Sequence, residues 1–242
     1  MRFTNVRVED VGAYRAVIRF ETSREASCHV LFGRAPDALD SSATDPDMKP
    51  GTYLTTHEVP LEDLPPQTTL HFVAVATDPK EVEFRSDPGQ LTTSAGVPVD
   101  SLTNVALLQA GTVVTAVSSN FAAGTNASTW GANNAIDGQM ATEWSTNMDG
   151  DNAFLEADLG TSRDVQFIGY RSRKMSDGTS IVRKFELRVN DQLTLGPYDT
   201  PDPDVRYVIE LASPVTMRTV RMTAIETTGG NTGLKELQLF VP

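Results

Sequence analysis

The sequence predicts an all-β protein built from two antiparallel sandwiches in series. Three observations carry that expectation. Apolar and polar residues alternate in short runs separated by Pro, Gly, Asp and Ser clusters, and a period of two marks strands with one face in a core. No long stretch repeats at the helical period. Residues 92–104, Thr-Thr-Ser-Ala-Gly-Val-Pro-Val-Asp-Ser-Leu-Thr-Asn, are small, polar and punctuated by Gly96 and Pro98, a composition typical of inter-domain linkers. The expected division is a first domain at 1–93, a linker at 94–103 and a second domain at 104–242.

In the first domain, residues 1–8 alternate and are expected to form a strand rather than a leader peptide. Residues 13–20 alternate cleanly, with Tyr14, Ala16, Ile18 and Phe20 on one face. Further strands are expected at 29–33, 55–61, 69–76 and 84–92, and one short helical turn at 35–39. The three histidines, His29, His57 and His71, fall in separate expected strands without metal-ligand spacing, so a structural role is expected for each. Cys28 is the one cysteine of the chain. It cannot form an internal disulfide, and its alternating context suits a small buried hydrophobe.

In the second domain, strands are expected at 112–117, 152–159, 165–173, 185–189, 206–211, 217–225 and 235–241. Between the first two lies 118–151, rich in Asn, Gly, Ala and Ser and containing Trp130 and Trp144. A loop of that length in a compact domain is functional or is held by something.

The 242 residues carry 20 Lys and Arg against 32 Asp and Glu, a formal net charge of −12. Such a surface repels polyanions, so nucleic acid and anionic membrane lipid are excluded as expected partners. Catalysis is not expected either. Neither a phosphate-binding Gly loop nor a nucleophile elbow is present, and the second domain has no histidine. Glu156 and Asp158 sit two apart on one strand face without a partner acid, unlike a glycosidase pair.

Two resemblances sharpen these expectations. Residues 64–72, Leu-Pro-Pro-Gln-Thr-Thr-Leu-His-Phe, resemble the turn and strand of fibronectin type III domains, with Leu70 where that family carries a corner tyrosine. The resemblance implies a fibronectin type III-like sandwich that acts as a spacer or docking domain.

In the second domain the segments 134–138 (Asn-Ala-Ile-Asp-Gly), 142–145 (Thr-Glu-Trp-Ser), 154–160 (Phe-Leu-Glu-Ala-Asp-Leu-Gly), 168–173 (Ile-Gly-Tyr-Arg-Ser-Arg), 218–222 (Arg-Thr-Val-Arg-Met) and 234–240 (Leu-Lys-Glu-Leu-Gln-Leu-Phe) follow one another. Their order and spacing resemble discoidin-type domains, also called coagulation factor five/eight type C domains. Within these they look most like the family 32 carbohydrate-binding modules of bacterial secreted enzymes. The resemblance implies a galactose-binding-like jelly roll with a structural Ca2+ near the binding loops, and a core role for Trp144.

The residues themselves offer part of that cation shell. Calcium takes six to eight oxygens, and Asp137, Glu236 and Thr142 supply carboxylates, a hydroxyl and a carbonyl. The resemblance adds the carbonyls of Asn134, Gln139 and Lys235. On the residues alone, Asp137 could equally make a turn bond to the backbone, and Glu236 could be an exposed strand residue.

The resemblance places a sugar on the loops at the calcium end. The candidates are Phe121 and Trp130 as aromatic plates, Arg173 as a hydroxyl-binding arm, and Asn231 in the loop 227–232. Phe121 and Trp130 could instead cover the sandwich end, and Arg171, Arg173 and Lys174 could form a solvated turn. The expected function is a non-catalytic, calcium-stabilised lectin or adhesin-like protein, extracellular or on a cell surface, binding a glycan or glycoconjugate. The alternative is a structural or protein-interaction subunit whose partners are other proteins of a surface assembly.

Overall fold

A computed structural model describes residues 1–48 and 51–242. The chain divides into two compact units, Met1–Pro98 and Val99–Pro242. Apart from short 3₁₀ turns, the regular structure among the described residues is β-strand. Among the described residues no helix is long and apolar enough to cross a membrane.

The first unit contains β1 (Phe3–Glu9), β2 (Ala16–Gly33), β3 (Ser41–Thr44), β4 (Leu54–Leu61), β5 (Thr69–Thr77), β6 (Glu83–Arg85) and β7 (Gly89–Thr92). All pairs are antiparallel. The expected runs at 13–20 and 29–33 are the two ends of one strand, β2. Its first half pairs β1 and β4, and its second half pairs β3 and β5. Register shifts between Glu21 and Ala26, and Ser23, Arg24 and Glu25 are exposed there. Ile18, Phe20, Val30, Leu61, Phe72 and Ala74 close the core, and Leu70 is buried within it.

The helical turn expected at 35–39 is not formed. Ala35 and Ala38 form an isolated bridge, closed by Ala38 N–H donating to the Ala35 carbonyl at 3.1 Å. Pro36 at the second position pre-sets the dihedral of such a turn. Residues 94–98 are also tied down: the Tyr14 hydroxyl donates to the Val97 carbonyl and accepts from its N–H, both at 2.9 Å.

The second unit contains β8 (Thr103–Asn104), β9 (Val113–Val117), β10 (Phe154–Ser172), β11 (Ile181–Val189), β12 (Leu193–Asp199), β13 (Tyr207–Thr228) and β14 (Leu234–Val241). The strand order is β12-β11-β13-β10-β14-β8, with β9 on the first part of β10. Two pairs of expected strands are single strands here, β10 and β13. Their mutual register breaks between Asp158 and Arg163 and between Val165 and Phe167. Before the breaks β10 pairs β9, and after them it pairs β14. Pro214, which has no N–H to give a ladder, falls in the interruption on β13. The two long strands thus run through both layers of the sandwich. β12 was not among the expected strands; it lies at the edge of the sheet, where its Pro197 is tolerated. Trp144, Tyr170, Phe185, Leu155, Ile168, Met222 and Leu237 are fully buried at the centre.

Candidate functional site

The segment 118–151 is ordered by side chains that bond to backbone. Asn120 is buried. Its amide donates to Asn126 Oδ1 at 2.9 Å, and its Oδ1 accepts from Ala132 N–H at 3.0 Å. Trp144 is fully buried, and its indole N–H donates to the Ser119 carbonyl at 3.1 Å. Ser119 in turn donates to Asp149 at 2.6 Å and accepts from Asn147 N–H at 2.8 Å. Every buried donor needs such a partner, so these bonds decide how the segment lies.

Two backbones run side by side at the tip. Trp144 N–H donates to the Leu234 carbonyl and Thr146 N–H to the Thr232 carbonyl, each at 2.8 Å. Gly233 permits that approach, because a Cβ there would lie 2.0 Å from the Trp144 carbonyl oxygen. The Trp144 backbone on one side and the Arg173 side chain on the other leave little room to relax. Gly233→Ala is expected to destabilise the second unit at the upper end of the ~1–3 kcal/mol cost of overpacking. Chemical denaturation of the variant checks it.

Three large apolar side chains stand exposed at this end: Phe121 (39%), Trp130 (41%) and Met148 (71%). Ser145 links the first two, because Phe121 N–H donates to its carbonyl at 2.8 Å and its own N–H donates to the Trp130 carbonyl at 3.1 Å. Met148 is linked to Asn231, whose side-chain oxygen accepts from Met148 N–H at 3.1 Å. Among the described residues the Asn231 amide nitrogen makes no hydrogen bond. Met148 and Ser145 were not read from the sequence. Met148 looks like any loop residue, and Ser145 acts through its backbone.

Arg173 is placed differently from the arm that the sequence suggests. It is 6% exposed. Its guanidinium donates to Glu143 Oε1 through Nε at 3.1 Å and Nη2 at 3.0 Å, and also to the Asn231 carbonyl. The same guanidinium lies 5.9 Å from the Trp130 ring centroid, at the outer limit of a cation–π contact. Arg173 is therefore neither a solvated turn residue nor a free arm. It braces Trp130 and the 227–232 loop from beneath.

The other cluster lies where the 3₁₀ turn at Ala132–Ile136 meets β14. Asp137 makes the turn bond of the alternative reading, with Gln139 N–H donating to Oδ1 at 2.8 Å. Its Oδ2 lies 2.8 Å from the Thr142 hydroxyl, which is also 2.8 Å from the Gln139 carbonyl. One hydroxyl proton cannot serve both oxygens fully. Glu236 is 1% exposed, not the exposed strand residue of the alternative. Each of its carboxylate oxygens lies 3.2 Å from Gly138 N–H. No Lys or Arg pairs with it among the described residues. Burial, with a smaller contribution from the nearby Asp137 charge, pushes its carboxyl up to about 8.

Lys235 lies between Leu234, which pairs Ser172, and Glu236, which pairs Arg171. It is thus the extra residue of a bulge, free of the regular ladder. The Asn134 side-chain nitrogen donates to the carbonyls of Thr129 (2.7 Å) and Glu143 (3.1 Å), which holds the residue in place beside the cluster. The oxygens gathered here form no ion pair with a Lys or Arg among the described residues.

Glu156 and Asp158 pair with Arg221 and Arg218 respectively.

The sequence profile described as "F5/8 type C domain" matches residues 114–237, a little over half of the chain. No curated protein matches the chain. Among solved structures, the family 32 carbohydrate-binding module of Clostridium perfringens NanJ, in complex with galactose, is 21% identical, with 57% of this chain and 98% of that one covered and a TM-score of 0.48. A second C. perfringens module, in complex with GalNAc-β-1,3-galactose, is 21% identical over 57% of this chain and 100% of its own, with a TM-score of 0.45. Chitosan-binding module 1 from a chitosanase/glucanase of Paenibacillus sp. IK-5 is 21% identical over 57% and 99%, with a TM-score of 0.44.

Proposed function

The chain belongs to the F5/8 type C domain family, and from that premise we propose that it is a non-catalytic carbohydrate-binding protein, lectin- or adhesin-like and stabilised by calcium. The observation that carries the proposal is the exposed pair Phe121 and Trp130 beside Met148 and the Asn231 amide, on loops fixed to one another through Ser145. An aromatic plate offers apolar area to the C–H face of a sugar ring, and a nearby amide fixes its hydroxyls. Loops already held in place lose little entropy on binding.

Calcium is the cation that suits the second cluster. The carboxylates of Asp137 and Glu236, the Thr142 oxygens and the carbonyls of Asn134, Gln139 and Lys235 form an all-oxygen set. The buried, unpaired Glu236 carboxylate is the observation that favours a cation there. When bound, the ion supplies the missing positive charge and ties the 118–151 segment to β14. The first unit serves as a fibronectin type III-like spacer or docking domain. Its strand pairing supports this, with β1 and β4 on one half of β2 and β3 and β5 on the other, as does the Leu64-Pro65-Pro66 turn. The proposed setting is extracellular or on a cell surface.

A glycan array run with calcium and again with chelator tests the reading. Calcium-dependent binding to one related group of glycans is expected. No binding by folded protein in either condition would sink it and favour a protein-interaction role. Trp130→Ala is expected to weaken glycan affinity by ~30-fold, the size of a 2 kcal/mol hot spot. Its melting temperature should stay near that of the parent, because the Trp130 ring is exposed.

A further inference from the structure

The first unit holds a second, chemically different cluster that the glycan reading does not use. Cys28 on β2, Asp45 just after β3 and His57 on β4 each offer one donor atom, and the three atoms lie within 4.8 Å of one another. All three residues are buried, at 5%, 4% and 1% exposure. The sheet brings them together because β2 pairs both β3 and β4.

The hydrogen bonds decide which histidine atom is left over. The Thr22 hydroxyl lies 2.9 Å from the Arg24 carbonyl and 3.2 Å from His57 Nε2. Its single proton goes to the carbonyl, which can only accept, so Nε2 carries the ring proton and donates to Thr22. Nδ1 then presents a bare lone pair. It is buried and has no hydrogen-bond partner, which is costly for a polar atom. A histidine held through its protonated nitrogen, with the other nitrogen bare, is the arrangement found in metal sites.

Asp45 is similarly positioned. Its Oδ1 accepts from Asp47 N–H at 2.9 Å and its Oδ2 from Glu58 N–H at 3.1 Å. The carboxylate is thus oriented while keeping unused lone pairs. It has no Lys or Arg partner among the described residues. Stacking on Phe20, 4.8 Å between ring centroids, fixes the plane of the imidazole.

We propose that Cys28, Asp45 and His57 form a binding site for a zinc-class divalent cation, with a thiolate, a carboxylate and the His57 Nδ1 lone pair as ligands. Sulfur, imidazole nitrogen and carboxylate oxygen are the donors zinc takes, at roughly 2.0–2.3 Å. Those lengths place tetrahedral ligand atoms roughly 3.3–3.8 Å apart, so the side chains close by about an ångström on binding. Thiolate plus carboxylate neutralise the dication, which removes the penalty of burying either charge alone. Binding releases the Cys28 proton to solvent. The fourth position falls to an exogenous oxygen ligand. This donor set is unlike the all-oxygen cluster of the second unit, and the proposal stands independently of the glycan reading.

Cobalt(II), which takes the same ligands and is coloured, provides the test. The full chain, freed of metal with chelator and then of the chelator, is titrated with cobalt(II). One equivalent should produce a near-ultraviolet thiolate-to-cobalt charge-transfer band with visible tetrahedral d–d bands, and zinc(II) should bleach both. Because the chain has a single cysteine, that band can come from Cys28 alone. Cobalt on the oxygen cluster of the second unit would not give it. Cys28→Ser should lose the band, and His57→Gln should weaken cobalt affinity by at least ~10-fold. Absence of the band at saturating cobalt in folded protein overturns the proposal. So does its persistence in Cys28→Ser, or unchanged affinity in His57→Gln. Should a variant fail to fold, the spectrum of the unaltered chain decides alone.

Discussion

Arg173→Ala is expected to lower the stability of the second unit by about 3 kcal/mol, the lower end of the cost of stranding one partner of a buried ion pair. Glu143 would keep its charge with 14% of its side chain exposed, and the Asn231 carbonyl would lose a charged donor. For a unit of this size the melting temperature should fall by about 6–12 °C. A ligand-binding arm at the surface behaves otherwise, since its truncation lowers affinity and leaves the melt unchanged. Thermal unfolding therefore separates the two roles before any ligand is known. Replacing Arg173 and Glu143 together by methionine should recover much of the loss, since no charge is then left unpaired. An Arg173→Ala melt indistinguishable from the parent would refute the brace.

Calcium in hundredfold excess over its dissociation constant is expected to stabilise the second unit by about 2.7 kcal/mol. That corresponds to a rise of about 5–10 °C in its melting temperature, reversed by chelator. Asp137→Ala should abolish the response. Glu236→Gln should abolish it too, but with a different signature in metal-free protein. With its carboxyl raised to about 8 by burial, Glu236 must take up a proton on folding at neutral pH, a cost that glutamine lacks, so the metal-free variant should melt above the metal-free parent there. Differential scanning calorimetry of the three proteins, with and without calcium, distinguishes these outcomes. A full calcium shift retained in Asp137→Ala would place the ion elsewhere.

The sequence shows the strands better than it shows how they connect. Alternation located nearly every run, but 13–20 and 29–33 read as two strands because Thr22–Glu25 is polar. The chain stays extended there while crossing between layers. The same holds for β10 and β13, where residues near Gly160 and Pro214 read as breaks and are register shifts within continuous strands. In the second unit the motifs name residues that the fold brings near one another. Phe121, Trp130 and Asn231 do stand on the same end, and Asp137, Thr142 and Glu236 do gather. Arg173 was misjudged because burial depends on Glu143, thirty residues away, whose carboxylate meets it only in the folded chain. Cys28, Asp45 and His57 were invisible for a related reason. They sit on three elements at spacings of 17 and 12 residues, and strand pairing, not local sequence, sets their separation.

The continuity of β10 and β13 has a consequence for how the second unit comes apart. Each layer borrows the same two strands, so neither layer can detach and persist by itself. Amide protons on both sides of the register breaks should therefore become accessible to solvent in one concerted opening rather than layer by layer. The tip carrying Phe121, Trp130 and Met148 is bonded backbone to backbone to the chain entering β14, so the exposed end keeps its shape for as long as that frame stays closed.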